Sequence, residues 1–188
     1  MKILFLGNEK SSIVEFLKKR CIIEVCNVKV SSHLVSQFDY VISYGYTHII
    51  KKDVLNATKN GIINLHISYL PWNRGSSPNL WSFIDDTKKG VTIHYMDEGI
   101  DTGDIIVQKE MQFDEKNETL ETSYIRLQNE IELLFKNNWD NIVNKNFKIK
   151  KQLKEIGTVH YDKDTHKILD NFGDSIWKLP INELRKRL

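Results

Sequence analysis

The sequence predicts an α/β fold of three layers, with helices on both faces of a mostly parallel sheet. Short apolar runs alternate with segments of helical spacing through residues 1–143, and this alternation is typical of strand–helix–strand units. Several runs are apolar at almost every position, as strands covered on both faces usually are. Ligands of such sheets bind beyond the carboxyl ends of the strands, so a site is expected there.

Each predicted element has its own local signal. The run KILFLG at 2–7 ends in glycine and predicts a strand that feeds a turn, and the spacing of apolar residues in SIVEFLKKR predicts a helix at 12–20. Pro78 suits the first turn of a further helix. The same patterns predict the remaining strands at 21–26, 38–46, 61–67, 90–97 and 104–113, and the remaining helices at 51–58, 78–87 and 118–143.

The last predicted helix carries one apolar stripe, and the chain changes character after it. Residues 144–188 are richer in charge and poorer in pattern. We interpret them as an ordered C-terminal tail that packs on the sheet of a domain formed by 1–143, anchored by Tyr161, Phe172 and Trp177. The stripe of the helix consists of Leu120, Tyr124, Leu127, Ile131, Leu134 and Phe135.

The composition argues against several classes of protein. The 27 Lys and Arg residues nearly balance the 25 Asp and Glu residues, for a formal net charge of +2, so no broad basic field favours a nucleic acid or an anionic membrane. Cys21 and Cys26 fit reduced, buried thiols of a cytoplasmic protein and are too few for a metal site. The apolar start MKILFLGN is too short for a signal peptide, and no run reaches the length of a membrane span. A homodimer is compatible with the sequence.

Two stretches concentrate residues with chemical functions. Asn64 and His66 stand two apart at the end of a predicted strand, so their side chains share one face where a pocket is expected. The second stretch is the acidic loop MDEGIDTGDII at 96–106, in which Gly99 and Gly103 indicate a backbone bent close to a ligand. Alone, each stretch would also suit a turn on the surface.

Together these stretches resemble the folate-dependent formyltransferases, the group that includes the glycinamide ribonucleotide, methionyl-tRNA and nucleotide-sugar formyltransferases. The pattern of that group is Asn-x-His, a Ser-Leu-Leu-Pro-like turn with Arg-Gly, and a later Asp-x-Gly. This chain has NLH at 64–66, SYLP at 68–71, RG at 74–75 and DTG at 101–103. The match spans 38–113, and several motifs in a fixed order are more specific than any one of them. The resemblance implies a Rossmann-like sheet of the formyltransferase type.

The resemblance also implies a catalytic trio of Asn64, His66 and Asp101, with 10-formyltetrahydrofolate as the formyl donor. The amine of an acceptor attacks the formyl carbon, and negative charge develops on the formyl oxygen. Asn64 can donate an N–H group to that oxygen. His66 can move a proton as acid or base, and the sequence leaves both roles open. Asp101, if it lies beside His66, orients the ring and favours its charged form.

The same resemblance assigns residues to the two ligands. The pterin would lie between the segment YGYTHII and the acidic loop, and the acceptor would contact the turn after His66, with Trp72, Trp81 and Tyr69 offering flat surfaces. A phosphate of the acceptor would sit at the first turn, GNEKSS. The implied donor residues are Tyr46, Thr47, Ile49, Ile50, Asp97, Glu98, Gly99 and Ile100; the implied acceptor residues are Ser68, Tyr69, Arg74, Gly7, Asn8 and Lys10.

The turn and the acidic loop look most like the branch that formylates amino sugars on nucleotide carriers, which indicates a role in surface-polysaccharide synthesis. The tail has no strong basic excess for gripping a tRNA, so methionyl-tRNA is disfavoured. A glycinamide ribonucleotide-type enzyme, a formyltetrahydrofolate hydrolase and a folate-binding protein without turnover remain alternatives. Only 37 residues precede Phe38, which indicates an N-terminal half shortened by one strand–helix unit relative to the group. The single glycine of GNEKSS argues against a dinucleotide-binding oxidoreductase.

Overall fold

The computed structural model describes residues 1–153 and 155–187. Every strand and helix predicted for residues 1–143 is present, with boundaries within a few residues of the predicted ones. The short elements at 32–35 and 74–75 and all elements after residue 143 were not predicted. The strands are β1 Lys2–Gly7, β2 Ile22–Cys26, β3 Tyr40–Tyr44, β4 Ile62–His66, β5 Arg74–Gly75, β6 Gly90–Tyr95, β7 Ile105–Glu110 and β8 Val159–His160. The helices are α1 Ser12–Lys18, α2 Ser32–Val35, α3 Lys52–Ala57, α4 Pro78–Ile84, α5 Leu120–Val143, α6 Asp162–Phe172, a 3-10 helix Gly173–Trp177, and α7 Ile181–Arg187.

The central sheet has six strands in the order β2-β1-β3-β4-β6-β7. Neighbours from β2 to β4 run parallel, and β6 and β7 are antiparallel additions on the β4 side. Strand β4 has β3 as its neighbour on one side and β6 on the other, so loops attached to both neighbours lie close to it. This arrangement confirms the predicted α/β fold with a mostly parallel sheet.

Alternate residues of β1 point into two separate cores. Ile3 and Phe5 join the core that α1 and α5 cover, whereas Leu4 and Leu6 join the core on the other face of the sheet, beneath α2 and α3. Because successive side chains of a strand face opposite sides, a strand apolar at every position must be covered twice. The three-layer prediction therefore follows directly from the composition of β1.

Helix α5 covers the sheet over 24 residues and begins at a capping box formed by Thr119 and Thr122. Most of the predicted apolar stripe packs on the sheet, but the side chain of Tyr124 is 42% exposed. Trp139 and Ile142, outside the predicted stripe, are buried and extend it by more than one turn. A stripe of this spacing drifts around the axis of a long helix, so the side chain of Tyr124 is exposed and does not pack on the sheet.

The C-terminal segment from 159 onward packs differently from the prediction. Strand β8 pairs in parallel with the short β5 rather than with the central sheet. The expected anchors Tyr161 and Trp177 are 48% and 36% exposed, and Phe172 is only partly buried. Aliphatic side chains of the last helices hold the segment instead, because they reach the apolar faces of α4 and α5. The buried cluster consists of Leu80, Phe83, Leu120, Ile176, Ile181 and Leu184.

Candidate active site

A cavity of about 880 Å³ opens at the carboxyl ends of β3 and β4, where ligands of parallel sheets are expected. Its walls come from β3 and the turn after it, β4, the turn around β5, the start of α4, the acidic loop and the C-terminal segment. Asn64, His66 and Asp101 all line it. Residues far apart in the sequence therefore converge on one concave surface, as they do in small-molecule sites.

Asp101 is the residue that joins the predicted trio. Its Oδ1 lies 3.3 Å from Asn64 Nδ2, its Oδ2 lies 3.7 Å from His66 Nδ1, and the backbone N–H of Gly75 donates to Oδ2 at 2.9 Å. A second histidine, His94, places its Nε2 3.5 Å from Asp101 Oδ1. One carboxylate thus contacts β4, β5 and β6 at the same time.

The surroundings of Asp101 favour its ionised form. Burial by itself would raise the pKa of the carboxyl group, but the charges of His66 and His94, the hydrogen bond from His94 and the Gly75 amide together hold that pKa well below its ordinary value of 3.8. Opposite charges and N–H donors stabilise a carboxylate more than burial penalises it here. The site therefore contains a fixed negative charge beside two imidazole rings.

The two histidine rings are oriented by backbone carbonyl groups. His66 Nε2 donates to the carbonyl of Asn73 at 3.0 Å, and His94 Nδ1 donates to the carbonyl of Tyr95 at 2.8 Å. The first bond leaves Nδ1 of His66 facing Asp101, and the second leaves Nε2 of His94 between Asn64 Nδ2, 3.2 Å away, and Asp101 Oδ1, 3.5 Å away. Each ring is held at one nitrogen and presents the other to the site.

His94 is a site residue that the sequence patterns did not single out. It lies directly opposite Asn64 in the antiparallel pairing of β4 and β6. That pairing joins residues 30 positions apart in the chain and has no local sequence signal. Within strand β6 His94 looks like an ordinary buried polar residue, with no exposed surface.

Some of the residues expected to contact the donor line the cavity, and the others lie elsewhere. Tyr46, Thr47 and Ile100 contribute to its wall. The side chain of Ile49 is 89% exposed, and that of Ile50 packs into the core under α2 and α3. Asp97, Glu98 and Gly99 are also outside the described lining of this cavity. Contact of these five residues with the donor stays a prediction.

Asp97 stabilises the acidic loop through contacts inside the loop, and Glu98 links the loop to α3. The carboxylate of Asp97 accepts from the backbone N–H of Gly99 at 3.0 Å and from the hydroxyl of Thr102 at 2.5 Å. Glu98 forms an exposed ion pair with Lys52, 2.8 Å from Nζ to Oε1. These contacts tie the loop that carries Asp101 to itself and to α3.

Hydrogen bonds to backbone carbonyl groups hold the turn after His66. Ser68 is buried and donates to the carbonyl of Trp72 at 2.9 Å, and Arg74 donates to the carbonyls of Ile156 and Thr158, both at 3.4 Å. The Nζ of Lys88 lies 5.2 Å from the ring centre of Tyr69. Ser68, Tyr69 and Arg74 are outside the described lining of the cavity, and their contact with an acceptor stays a prediction.

The first turn also lies outside the described lining of the cavity. A Cβ atom at Gly7 would stand 2.1 Å from the carbonyl oxygen of Tyr44, so the close approach of β1 and β3 is a sufficient reason for glycine there. The side chain of Asn8 accepts from the backbone N–H of Lys10 at 2.9 Å, which closes the turn. A phosphate contact by Gly7, Asn8 or Lys10 stays a prediction.

The aromatic rings near the cavity are not the ones that were expected to contact the acceptor. Trp81 is half-buried, its ring stacks on His160 with centroids 3.9 Å apart, and its Nε1 donates to Thr165 at 3.1 Å. The tail residue Trp177, expected to be a buried anchor, lines the cavity instead. An aromatic residue in a charged tail gave no sequence signal for this position.

Further residues of the site come from segments that the patterns treated as scaffold. Tyr44, Tyr124, Gln128 and Asp162 line the cavity. The hydroxyl of Tyr44 is buried without a hydrogen-bond partner in the described part of the chain, and burial, with Glu132 next in effect, raises its pKa above the ordinary value. Among the described residues, no group of His, Cys, Asp and Glu side chains is arranged to hold a metal ion. None of the described helices combines the length and apolar character of a membrane span.

The chain is similar to known proteins over most of its length. Residues 1–136 match the family described as formyl transferase. The crystal structure of the formyltransferase PseJ from Anoxybacillus kamchatkensis, in complex with UDP-4,6-dideoxy-4-formamido-L-AltNAc and tetrahydrofolate, shares 43% identity and a TM-score of 0.90, covering 98% of this chain and 97% of that one. A 4-N formyltransferase from Francisella tularensis shares 25% identity over 89% of this chain and 78% of its own, with a TM-score of 0.76.

Curated relatives match over a shorter stretch. The methionyl-tRNA formyltransferase of Clostridioides difficile (strain 630) is 44% identical over 78 residues, which is 41% of this chain and 25% of the relative. That of Thermodesulfovibrio yellowstonii is 45% identical over 91 residues, 48% of this chain and 29% of the relative. This chain therefore spans between a quarter and a third of the length of these two relatives. The resemblance inferred from the motifs is confirmed, and the chain belongs to the formyl transferase family.

Proposed function

We propose that this protein transfers a formyl group from 10-formyltetrahydrofolate to the amine of an amino sugar carried on a nucleotide. The observation that carries the proposal is the convergence of Asn64, His66 and Asp101 on one cavity of about 880 Å³. The similarity to PseJ along nearly the whole chain supports the same conclusion, because that protein was crystallised with tetrahydrofolate and a UDP-linked formamido sugar.

The cavity suits the donor in size and in lining. Its volume of about 880 Å³ lies toward the upper end of the range of roughly 300–1,000 Å³ for small-molecule pockets. Polar groups of Thr47, Asn64 and Gln128 line the cavity beside apolar ones, as in most small-molecule sites. Tyr46, Thr47, Ile100 and the backbone of the acidic loop would hold the pterin. When bound, 10-formyltetrahydrofolate supplies an activated formyl group for attack by the acceptor amine.

Asn64 stabilises the charge that develops on the formyl oxygen. The Nδ2 of Asn64 has two neighbours at the long end of the hydrogen-bond range, His94 at 3.2 Å and Asp101 at 3.3 Å. An oxygen that gains negative charge can accept a shorter and stronger hydrogen bond than these long contacts provide. Asn64 can therefore turn one N–H group toward the formyl oxygen during the reaction.

His66 is the residue that exchanges a proton with the reacting groups. Its Nε2 is committed to the carbonyl of Asn73, so Nδ1 is the nitrogen available to the site. The carboxylate of Asp101, 3.7 Å from Nδ1, stabilises positive charge on the ring. The same ring can take the proton that leaves the amine and return it to the departing folate nitrogen.

The amino-sugar acceptor distinguishes this proposal from the other members of the family. A panel of UDP-, dTDP- and GDP-linked amino sugars, glycinamide ribonucleotide and methionyl-tRNA should be incubated with the protein and 10-formyltetrahydrofolate, and formylated products detected by mass spectrometry. We expect product from at least one nucleotide-linked amino sugar. Formylation of glycinamide ribonucleotide or methionyl-tRNA alone would contradict the sugar assignment.

Two controls separate the remaining alternatives. Formate release without any amine would identify a formyltetrahydrofolate hydrolase, and folate binding without transfer to any acceptor would identify a binding protein. The variant Asn64→Leu keeps the size of the side chain but removes the donor, and we expect its transfer rate to fall by about 10²–10³. Unchanged turnover in that variant would contradict the role of Asn64.

The cellular setting is part of the proposal. We infer that the enzyme works in the cytoplasm, without a nucleic-acid or membrane partner, in the synthesis of a surface polysaccharide, and that it can pair as a homodimer. Cell fractionation and light scattering of the purified protein test the compartment and the oligomeric state. Loss of a formylated sugar from the polysaccharide of a deletion strain tests the pathway.

A further inference from the structure

Two residues of the cavity wall come from the C-terminal segment. Asp162 is the first residue of α6, and Trp177 is the last residue of the 3-10 helix, and both line the cavity that holds the trio. The family match ends at residue 136, so this part of the wall lies beyond the segment that the family pattern describes.

The position of Trp177 leaves part of its ring open to the cavity. The preceding residue, Ile176, has no exposed surface and joins the cluster under α4. Trp177 itself is 36% exposed and lines the cavity, whereas Trp81 stacks inside the protein on His160. Ile176 thus anchors the turn, and the indole beside it offers a partly exposed aromatic surface to a ligand.

The segment is fixed to the rest of the site by backbone pairing. Arg74 N–H donates to the carbonyl of Thr158 at 3.0 Å, and Ser76 N–H donates to the carbonyl of His160 at 2.9 Å. His160 Nε2 lies 2.7 Å from the carboxylate of Asp85 on the other side. A wall tied to both the β5 turn and the end of α4 can position a ligand relative to Asp101, which binds Gly75 of the same turn.

Asp162 adds a hydrogen-bond acceptor to the wall of the same cavity. One carboxylate oxygen accepts from the hydroxyl of Ser76 at 3.3 Å, and the other lies 3.1 Å from Nε2 of His166. Its side chain is 76% exposed, so lone pairs remain for a ligand. A carboxylate accepts from hydroxyl and N–H groups and repels phosphate. The wall that Asp162 and Trp177 share therefore suits the ribose and base of a nucleotide better than its diphosphate.

The amine of the acceptor has to reach Asn64, His66 and Asp101, and the pterin is assigned to Tyr46, Thr47 and Ile100. The C-terminal wall is left for the part of the acceptor remote from its amine. We propose that Trp177 stacks on the nucleobase of the acceptor and that Asp162 accepts hydrogen bonds from its ribose hydroxyls, so that the C-terminal segment selects nucleotide-linked acceptors. This inference rests on the proposed function and names the residues that recognise the carrier.

The test is nucleotide binding by a matched pair of variants. Trp177→Ala removes the indole from the wall, and Tyr161→Ala removes an exposed aromatic ring of the same segment that is outside the described lining. Binding of UDP, dTDP and tetrahydrofolate is measured for each by calorimetry. We expect Trp177→Ala to weaken binding of UDP or dTDP by about tenfold, as loss of one stacked base does elsewhere, and to leave tetrahydrofolate binding unchanged. Tyr161→Ala should bind all three ligands like the wild type.

Conservative variants guard against a folding defect. Trp177→Phe keeps an aromatic face and should recover most of the nucleotide affinity. Asp162→Asn should weaken nucleotide binding by several-fold, since a neutral amide oxygen accepts a weaker hydrogen bond than a carboxylate does. Equal nucleotide affinity in Trp177→Ala and the wild type would overturn the inference. So would a wild-type protein that binds neither UDP nor dTDP.

The outcomes separate this inference from the proposed function. If nucleotide binding depends on Trp177 but no amino sugar is formylated, the nucleotide-binding role of Trp177 is supported and the proposed reaction is contradicted. If the wild type formylates a nucleotide-linked amino sugar and Trp177→Ala does so with the same KM for the acceptor, the proposed reaction is supported and the role of Trp177 is contradicted.

Discussion

Asp101 combines an unusual backbone conformation with the contacts that organise the site. Its φ of 49° lies in the left-handed region, which costs a residue with a Cβ atom on the order of 1 kcal/mol. The Gly75 amide, Asn64 and two histidines hold the carboxylate in place. Strain of this kind persists where surrounding contacts determine the geometry, and it often marks a functional position.

The ionised form of Asp101 should make the stability of the protein depend on pH. Its pKa is lower in the folded protein than its ordinary value of 3.8, so its contribution to folding is complete above that value and is lost as the pH falls below it. Urea unfolding of the wild type and Asp101→Asn, followed from about pH 6 to pH 3, measures the effect. We expect the free energy of unfolding to fall more steeply in the wild type, and parallel profiles would contradict this.

His66 is both a reactive group and a structural donor. It is only 8% exposed, and its bond to Asn73 holds the turn that follows β4. We expect His66→Ala to abolish formyl transfer and to lower the free energy of unfolding by about 1–3 kcal/mol, because a buried carbonyl loses its donor. His66→Gln can donate to Asn73 again, so most of the stability should return without activity. Activity in His66→Gln would show that no titrating group is needed there.

At the scale of elements, the loop between β6 and β7 depends on a residue far along the chain. The side-chain amide of Gln152 donates to the carbonyls of Asp101 at 3.0 Å and Gly103 at 2.6 Å. Gln152 is 9% exposed. It therefore fixes the backbone on which Asp101 stands, and we regard it as a positioning residue.

Replacing Gln152 should disturb catalysis without removing a reacting group. We expect Gln152→Leu to lower kcat about tenfold, with little change in the KM for the acceptor, because misplacement of an oriented group costs rate more than binding. Lys151→Leu, at the exposed neighbouring position, should keep wild-type kinetics. A rise in KM at constant kcat would instead indicate that Gln152 supports ligand binding only.

The elements also explain which site residues could be predicted. Asn64 and His66 lie on one strand. Side chains two positions apart on a strand share a face, so the two residues could be paired. Ligands bind beyond the carboxyl ends of such strands, so the position of the pair could also be predicted. His94 and Gln152 reach the site through an antiparallel pairing and a tail contact. Such contacts depend on which distant segments pack together, and no local pattern records them.

For the molecule as a whole, the C-terminal segment is part of the folded domain through its buried aliphatic side chains. Leu184 has no exposed surface and packs with Leu80, Phe83 and Ile176. We expect Leu184→Ala to lower the free energy of unfolding by about 2–5 kcal/mol, with one cooperative transition in urea. Arg187→Ala, at an exposed position, should change it by less than about 0.5 kcal/mol. A separate early transition in Leu184→Ala would indicate an independent tail.

Over the whole molecule, the N-terminal strand–helix unit that was expected to be missing does not set this chain apart from PseJ, since the two chains cover 98% and 97% of one another. The cavity draws part of its wall from the C-terminal segment.

The sequence by itself determined the α/β fold, the order of the main strands and helices up to residue 143, the family and the three residues proposed for catalysis. These follow from local periodicity and from motifs whose members lie close in the chain or at fixed order. Only the tertiary structure decided that His94 and Gln152 support Asp101, that Arg74 braces a turn, and that Trp177 faces the cavity while Trp81 is stacked inside. The reason is physical: a side chain's exposure and partners depend on which distant elements pack against it, and in this chain the decisive contacts join residues 30 to 84 positions apart.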